Sequence, residues 1–181
     1  NASSDSADQQ SITLKDTDGN DTVPLNYNYA NSFTAYDSLG NQRIVSAYFS
    51  KTATANTWDV RFAVDGVVDD TANPDNRYKI VFTSNGALDV GEGDVDANGQ
   101  LSDKIKFTSG AGTSNLFGGE PDDLSFNFDL TGTTQFAGPS TQNSLSQDGY
   151  APGSLAGFEV QDDGTIQKNY TNGESRDVGQ I

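Results

Sequence analysis

Trp58-Asp59-Val60-Arg61-Phe62-Ala63-Val64-Asp65 sets apolar residues at every second position, and that period of two decides the fold class. In an extended chain successive side chains point to opposite sides, so Trp58, Val60, Phe62 and Val64 share one face and mostly polar residues the other. The same period returns in Leu124-Ser125-Phe126-Asn127-Phe128-Asp129-Leu130 and in Tyr78-Lys79-Ile80-Val81-Phe82, with a shorter case in Asp103-Lys104-Ile105-Lys106-Phe107. No stretch carries the stripe of a helix, and at most a turn or two is expected at 140–146. The expected fold is all-β: an antiparallel β-sandwich or barrel-like domain followed by a smaller β module.

Outward from these runs, the turns are rich in Gly, Asn and Asp, which tolerate positive φ. Residues 44–49 and 57–64 are joined by Lys51-Thr52-Ala53-Thr54-Ala55-Asn56, and 78–82 is followed by Ser84-Asn85-Gly86. Phe158-Glu159-Val160 and 166–170 flank Gln161-Asp162-Asp163-Gly164, and Thr171-Asn172-Gly173-Glu174 precedes a last strand toward Ile181. Ser109-Gly110-Ala111-Gly112-Thr113-Ser114 and Phe117-Gly118-Gly119-Glu120-Pro121 read as a loop within one domain, and 132–153 as a boundary between two strand-rich blocks. The domains are therefore expected at 1–138 and 139–181, with 1–10 frayed.

Composition narrows the function. The 181 residues hold 26 Asp+Glu against 10 Lys+Arg and no His, a net charge of −16. Such a surface repels nucleic acid and anionic membranes. No apolar run approaches the roughly 20 residues needed to span a bilayer, and no signal peptide is visible. With Cys, His and Met all absent, disulfides, thiol nucleophiles, zinc or haem ligation through His or Cys, and Ser-His or Cys-His pairs are impossible. Carboxylate chemistry, hard-cation binding through oxygen, or no chemistry at all remain.

Among the candidates, Asp94-Val95-Asp96-Ala97-Asn98-Gly99 matches the first half of a Ca²⁺ loop, making Asp94, Asp96 and Asn98 the weak metal-ligand set. The position that should supply a bidentate Glu is Ile105, so an Asp/Asn/Gly hairpin turn accounts better for the same letters. Asp16-Thr17-Asp18-Gly19-Asn20-Asp21 is read the same way. The pairs Asp69-Asp70, Asp122-Asp123 and Asp162-Asp163 invite a glycosidase reading, but neighbours on a strand point to opposite faces. Trp58 reads as core rather than a ligand platform, and Asn20-Asp21-Thr22 and Asn169-Tyr170-Thr171 as chance acceptor motifs. No catalytic residue and no cofactor are expected.

Particular words go further. Phe33-Thr34-Ala35-Tyr36-Asp37-Ser38-Leu39-Gly40-Asn41, then Ala47-Tyr48-Phe49-Ser50-Lys51-Thr52 and Asn56-Thr57-Trp58, resembles a segment of bacterial flagellar hook proteins. Asp129-Leu130-Thr131-Gly132-Thr133-Thr134-Gln135-Phe136 and Asn143-Ser144-Leu145-Ser146-Gln147-Asp148-Gly149-Tyr150-Ala151-Pro152-Gly153 resemble the family's return from its middle domain. Gly157-Phe158-Glu159-Val160, Asp163-Gly164-Thr165-Ile166, Asn169-Tyr170-Thr171-Asn172-Gly173 and Val178-Gly179-Gln180-Ile181 resemble the strands that follow. The resemblance runs collinearly over 33–181. Rod proteins of the same axial family share words near the end but generally lack the large middle module.

The resemblance implies a structural subunit, exported without a cleaved signal to the extracellular flagellum. Copies would stack with one another into a curved, flexible tube that passes motor torque to the filament, and the full-length protein would meet rod, hook-cap and hook-filament junction proteins. It implies an outer β domain over 1–138 and later strands of the middle β domain over 139–181, with the family's terminal heptad helices absent here. The isolated chain is expected to be monomeric. From the residues alone, a calcium-dependent adhesin-like extracellular β module stays open as the alternative.

Overall fold

The computed structural model describes residues 9–22, 24–69, 76–109, 122–149 and 151–181. Its centre is a four-stranded antiparallel sheet of β3 (Tyr29–Tyr36), β4 (Gln42–Lys51), β5 (Thr57–Val64) and β6 (Arg77–Val81), in that order. Register follows the alternation: Val45 lies between Phe33 and Val64, and Val60 lies between Phe49 and Tyr78. One face therefore carries Val45, Ala47, Val60, Phe62, Val64, Tyr78 and Ile80 into the main core.

A second layer closes that core. β7 (Ile105–Phe107) pairs with β8 (Leu124–Phe126), and Ile105, Phe107, Leu124, Leu130, Val95 and Leu101 pack onto the sheet. Phe62 sits edge-on to both Tyr78 and Phe128, at ring-centroid distances of 5.9 and 5.0 Å. The run expected at 124–130 is a strand only to Phe126, because Asp129 bridges instead to Gln100 and its carboxylate accepts the Thr131 N–H at 2.7 Å.

The opposite face of the sheet is not simply solvated, contrary to the alternation at 58–65. Leu14 and Val68 cover Tyr48 and Ala63 there, with Ile12, Leu25 and Tyr27 alongside. β1 (Gln10–Ile12) pairs with β2 (Leu25–Tyr27), so Gln10, expected to be frayed, faces Tyr27 across a ladder. Residues 1–8, most of the loop at 109–121, Asp70 and Tyr150 lie outside the described residues.

The chain then leaves the sandwich. Residues 136–149 are exposed throughout, and 139–149 carry neither strand nor turn, so the helical turn considered at 140–146 does not form. That stretch holds a single large apolar residue, Leu145, and has no face to bury. A three-stranded antiparallel sheet follows, β9 (Leu155–Val160), β10 (Thr165–Tyr170) and β11 (Ser175–Gln180), with β10 in the middle.

Candidate functional site

The Asp/Gly turns share one construction. At 16–20, 37–41 and 96–100 the first N–H donates to the fifth carbonyl, and the glycine N–H at the fourth position donates to the first carbonyl. Gly19, Gly40 and Gly99 have φ of 82°, 83° and 84°, the left-handed residue that closes a three-residue hairpin loop. Each aspartate completes its own turn. Asp16 Oδ1 accepts from the N–H groups of Asp18 and Asn20 at 3.0 and 2.8 Å, Asp37 Oδ1 from Leu39 and Asn41 at 3.0 and 2.8 Å, and Asp96 Oδ1 from Asn98 and Gln100 at 2.8 and 2.9 Å.

That chemistry accounts for the calcium-like letters. The candidate ligands are occupied: the Asp96 carboxylate holds the turn, the Asn98 amide donates to Asp96 Oδ2 at 3.2 Å, and Asp94 Oδ2 accepts the Lys79 N–H at 2.6 Å. The Gln100 N–H, before its other donors, holds the Asp96 carboxyl below the usual carboxylate range. Among the described residues no cluster of His, Cys, Asp or Glu suits a metal ion.

Asp37 alone of these aspartates is buried, its side chain 0% exposed. Arg43 donates to its Oδ2 through Nε at 3.1 Å and Nη2 at 3.0 Å, and through Nη1 to Asp65 at 3.2 Å. Burial pushes the Asp37 carboxyl up, but the Asn41 N–H and amide together with the Arg43 guanidinium outweigh it and hold the group below its ordinary value.

The other acid pairs also go to structure. Asp69 is fully buried and accepts the Thr108 N–H at 2.5 Å; Asp123 accepts the Ser109 N–H at 2.8 Å and pairs with Lys106 at 2.8 Å. These contacts brace the β7–β8 pair rather than flank a cleft. Asp163 accepts the Thr165 N–H at 2.9 Å within the β9–β10 turn, and Asp162 beside it is exposed. Trp58 packs on the main core, with its Nε1 donating to Gln135 at 2.7 Å and Lys51 over its outer ring face.

One feature of 151–181 escaped the residue-level reading. Pairing aligns Phe158, Lys168 and Arg176 in one cross-strand row and Val160, Ile166 and Gly179 in the next. The reverse face carries Glu159, Gln167 and Asp177, then Asn169 and Ser175, joined by Gln167–Asp177, Asn169–Glu159 and Ser175–Asn169 hydrogen bonds. The sheet is thus apolar and basic on one side, polar and acidic on the other. The signal lay in Phe158 and Val160 at period two, with Ile166 facing Val160 across the next turn. Such a face can hold a partner surface.

Comparison with known proteins places these features. The model of the flagellar basal body protein FlaE D2 domain matches residues 4–150. The flagellar hook protein FlgE of Escherichia coli (strain K12) is 32% identical over 155 residues, 86% of this chain and 34% of that protein. FlgE of Treponema pallidum (strain Nichols) is 32% identical over 190 residues, covering 91% and 40%, and FlgE of Borreliella burgdorferi is 28% identical over 158 residues, covering 81% and 33%. The crystal structure of the Helicobacter pylori flagellar hook protein FlgE2 aligns with a TM-score of 0.43 at 17% identity, over 84% of this chain and 32% of that one. The chain therefore spans 34% of the E. coli relative's length and 40% of the T. pallidum relative's.

Proposed function

This chain belongs to the flagellar hook protein family, and from that premise we propose that it works as part of a structural subunit that polymerises helically into the flagellar hook. Its task is mechanical: copies stack into a curved, flexible tube outside the cell and pass motor torque to the filament for motility. The observation that carries this reading is the D2 match over 4–150, to which the identity with hook proteins adds.

The division follows the same premise. Residues 1–138 form the outer β domain, and 139–181 contribute later strands to the middle β domain. Favouring it are the closed core of the sandwich and the uncovered apolar face of the β9–β11 sheet. Copies of the same protein are the main partners, with rod, hook-cap and junction proteins at the ends of the tube.

The surface suits sliding contact. Asp, Asn, Ser, Thr and Gly make wet, polar interfaces that re-form after displacement more readily than interlocked apolar ones. At −16 the copies repel unless salt screens them, so assembly should strengthen with ionic strength. The calcium-dependent adhesin-like reading is set aside, since the family match and the identity with hook proteins favour the hook subunit.

Deletion of the gene in its host followed by electron microscopy of the cell surface tests the proposal. Basal bodies without hooks, and loss of swimming restored by the intact gene, are expected. Normal hooks in the deletion strain would overturn it.

A further inference from the structure

Fourteen exposed residues, 136–149, lead from the sandwich to the C-terminal sheet. A free tether of that length has a root-mean-square span of about 20 Å and sets no orientation. The two bodies nevertheless approach each other closely where Pro152 meets Gly40. A Cβ built on Gly40 would lie 2.8 Å from Pro152 Cβ and 3.0 Å from its Cγ, so the proline ring rests on the bare face of the glycine.

Both sides of this seat are stiff. Gly40 belongs to the turn that the buried Asp37 and Arg43 hold together. Pro152 lies in a segment clamped to the β10–β11 turn: Asn172 Nδ2 donates to the Ala151 carbonyl at 2.7 Å, the Ser154 N–H to Thr171 Oγ1 at 3.0 Å, and the Thr171 N–H to the Ser154 carbonyl at 2.9 Å. Gly153 gives the clamp room, because a Cβ there would lie 2.5 Å from Asn172 Cγ.

We propose that Pro152 on Gly40 is a latch that fixes the orientation of the β9–β11 sheet relative to the sandwich and that opens to let the sheet swing on the 136–149 tether. A single proline ring on a glycine is small enough to release under load, and proline's fixed φ lets the ring return in one pose. Nothing in the latch depends on what the chain assembles into, so a normal hook in the deletion strain and a failed latch are separate results.

The chain has no cysteine, so Ala53→Cys on the sandwich and Asp162→Cys on the sheet accept one spin label each. Pulsed dipolar spectroscopy on the full 181-residue chain should give one narrow distance in the doubly labelled parent. Pro152→Ala, at an exposed position where folding is not at stake, should broaden it roughly twofold, toward the spread of a free tether. Gly40→Ala should do the same, while Gly66→Ala should leave it narrow, since Gly66 has the same left-handed φ, 81°, with nothing within 4 Å. A broad distribution in the parent, or one that stays narrow in Pro152→Ala, overturns the latch. Broadening in Pro152→Ala but not in Gly40→Ala overturns the assignment of Gly40 as the seat.

Discussion

In the four-stranded sheet Val45, Val60, Phe62 and Val64 are wholly buried, whereas in the C-terminal sheet Phe158 and Val160 stand 61% and 56% exposed. Local construction does not separate them. Both sheets alternate with period two, and both turn through the same loop: at 161–165 Gln161 and Thr165 exchange the pairing seen at 37–41, with Gly164 at φ 82°. What differs is the second layer. Residues 95–107 and 124–130 come back over the first sheet, while no residue from 151 to 181 is buried. A strand pattern therefore specifies which face would be buried, and only a covering layer buries it. Three strands with one apolar face are near the lower limit for independent stability in water.

The largest test of that contrast is truncation of matched phenylalanines. Phe62→Ala should destabilise the sandwich by about 4 kcal/mol, the transfer and cavity loss of a core aromatic. Phe158→Ala should change chemical denaturation by less than about 0.5 kcal/mol, as for an exposed residue. Equal effects would mean that the exposed face is covered in solution.

Next in size is Asp37. Asp37→Ala leaves Arg43 partly buried without its main partner and should cost about 3 kcal/mol in urea unfolding. Because the folded carboxyl is held below its ordinary value of 3.8, its stabilisation is fully present above that pH and is lost as pH falls through the lowered folded value. Asp37→Asn should accordingly reduce the acid-side fall in melting temperature. An unchanged acid limb would show that the Asp37–Arg43 pair contributes nothing through titration.

The smallest expected effect separates two glycines in the turns. Gly99→Ala and Gly132→Ala both force an L residue into left-handed φ, near 84° and 82°, at about 1 kcal/mol each. Gly99 has a further constraint, since its Cβ would lie 2.7 Å from Thr131 Oγ1, which donates to the Asn98 carbonyl; Gly132 has open space. Thermal unfolding should place Gly99→Ala below Gly132→Ala, and the reverse order would discount the contact.

Much of this was legible in the residues. The hairpin partners at 44–49 and 57–64, the turn at 84–86 and the three closing strands follow from alternation and Asx/Gly chemistry, which act over a few residues. The calcium-like turn was legible as a turn for the same reason. Ala63 was not readable as buried, because its cover, Leu14 and Val68, is remote in one case and featureless in the other. Nor did any spacing mark Asp37 as the buried aspartate among look-alike turns, since Arg43 reaches it only once β3 and β4 are paired, and Asp65 reaches Arg43 only once β5 lies beside β4.

By itself, then, the sequence determined the all-β class, the strands, the glycine-closed turns, the absence of His and Cys chemistry, and the words that mark the hook family. The tertiary structure decided which of two equally patterned sheets has a core, which of the turn aspartates is desolvated, and that Pro152 meets Gly40. The reason is range: strand period and turn geometry arise from neighbours in the chain, but burial and orientation arise from segments far apart in the chain meeting in space.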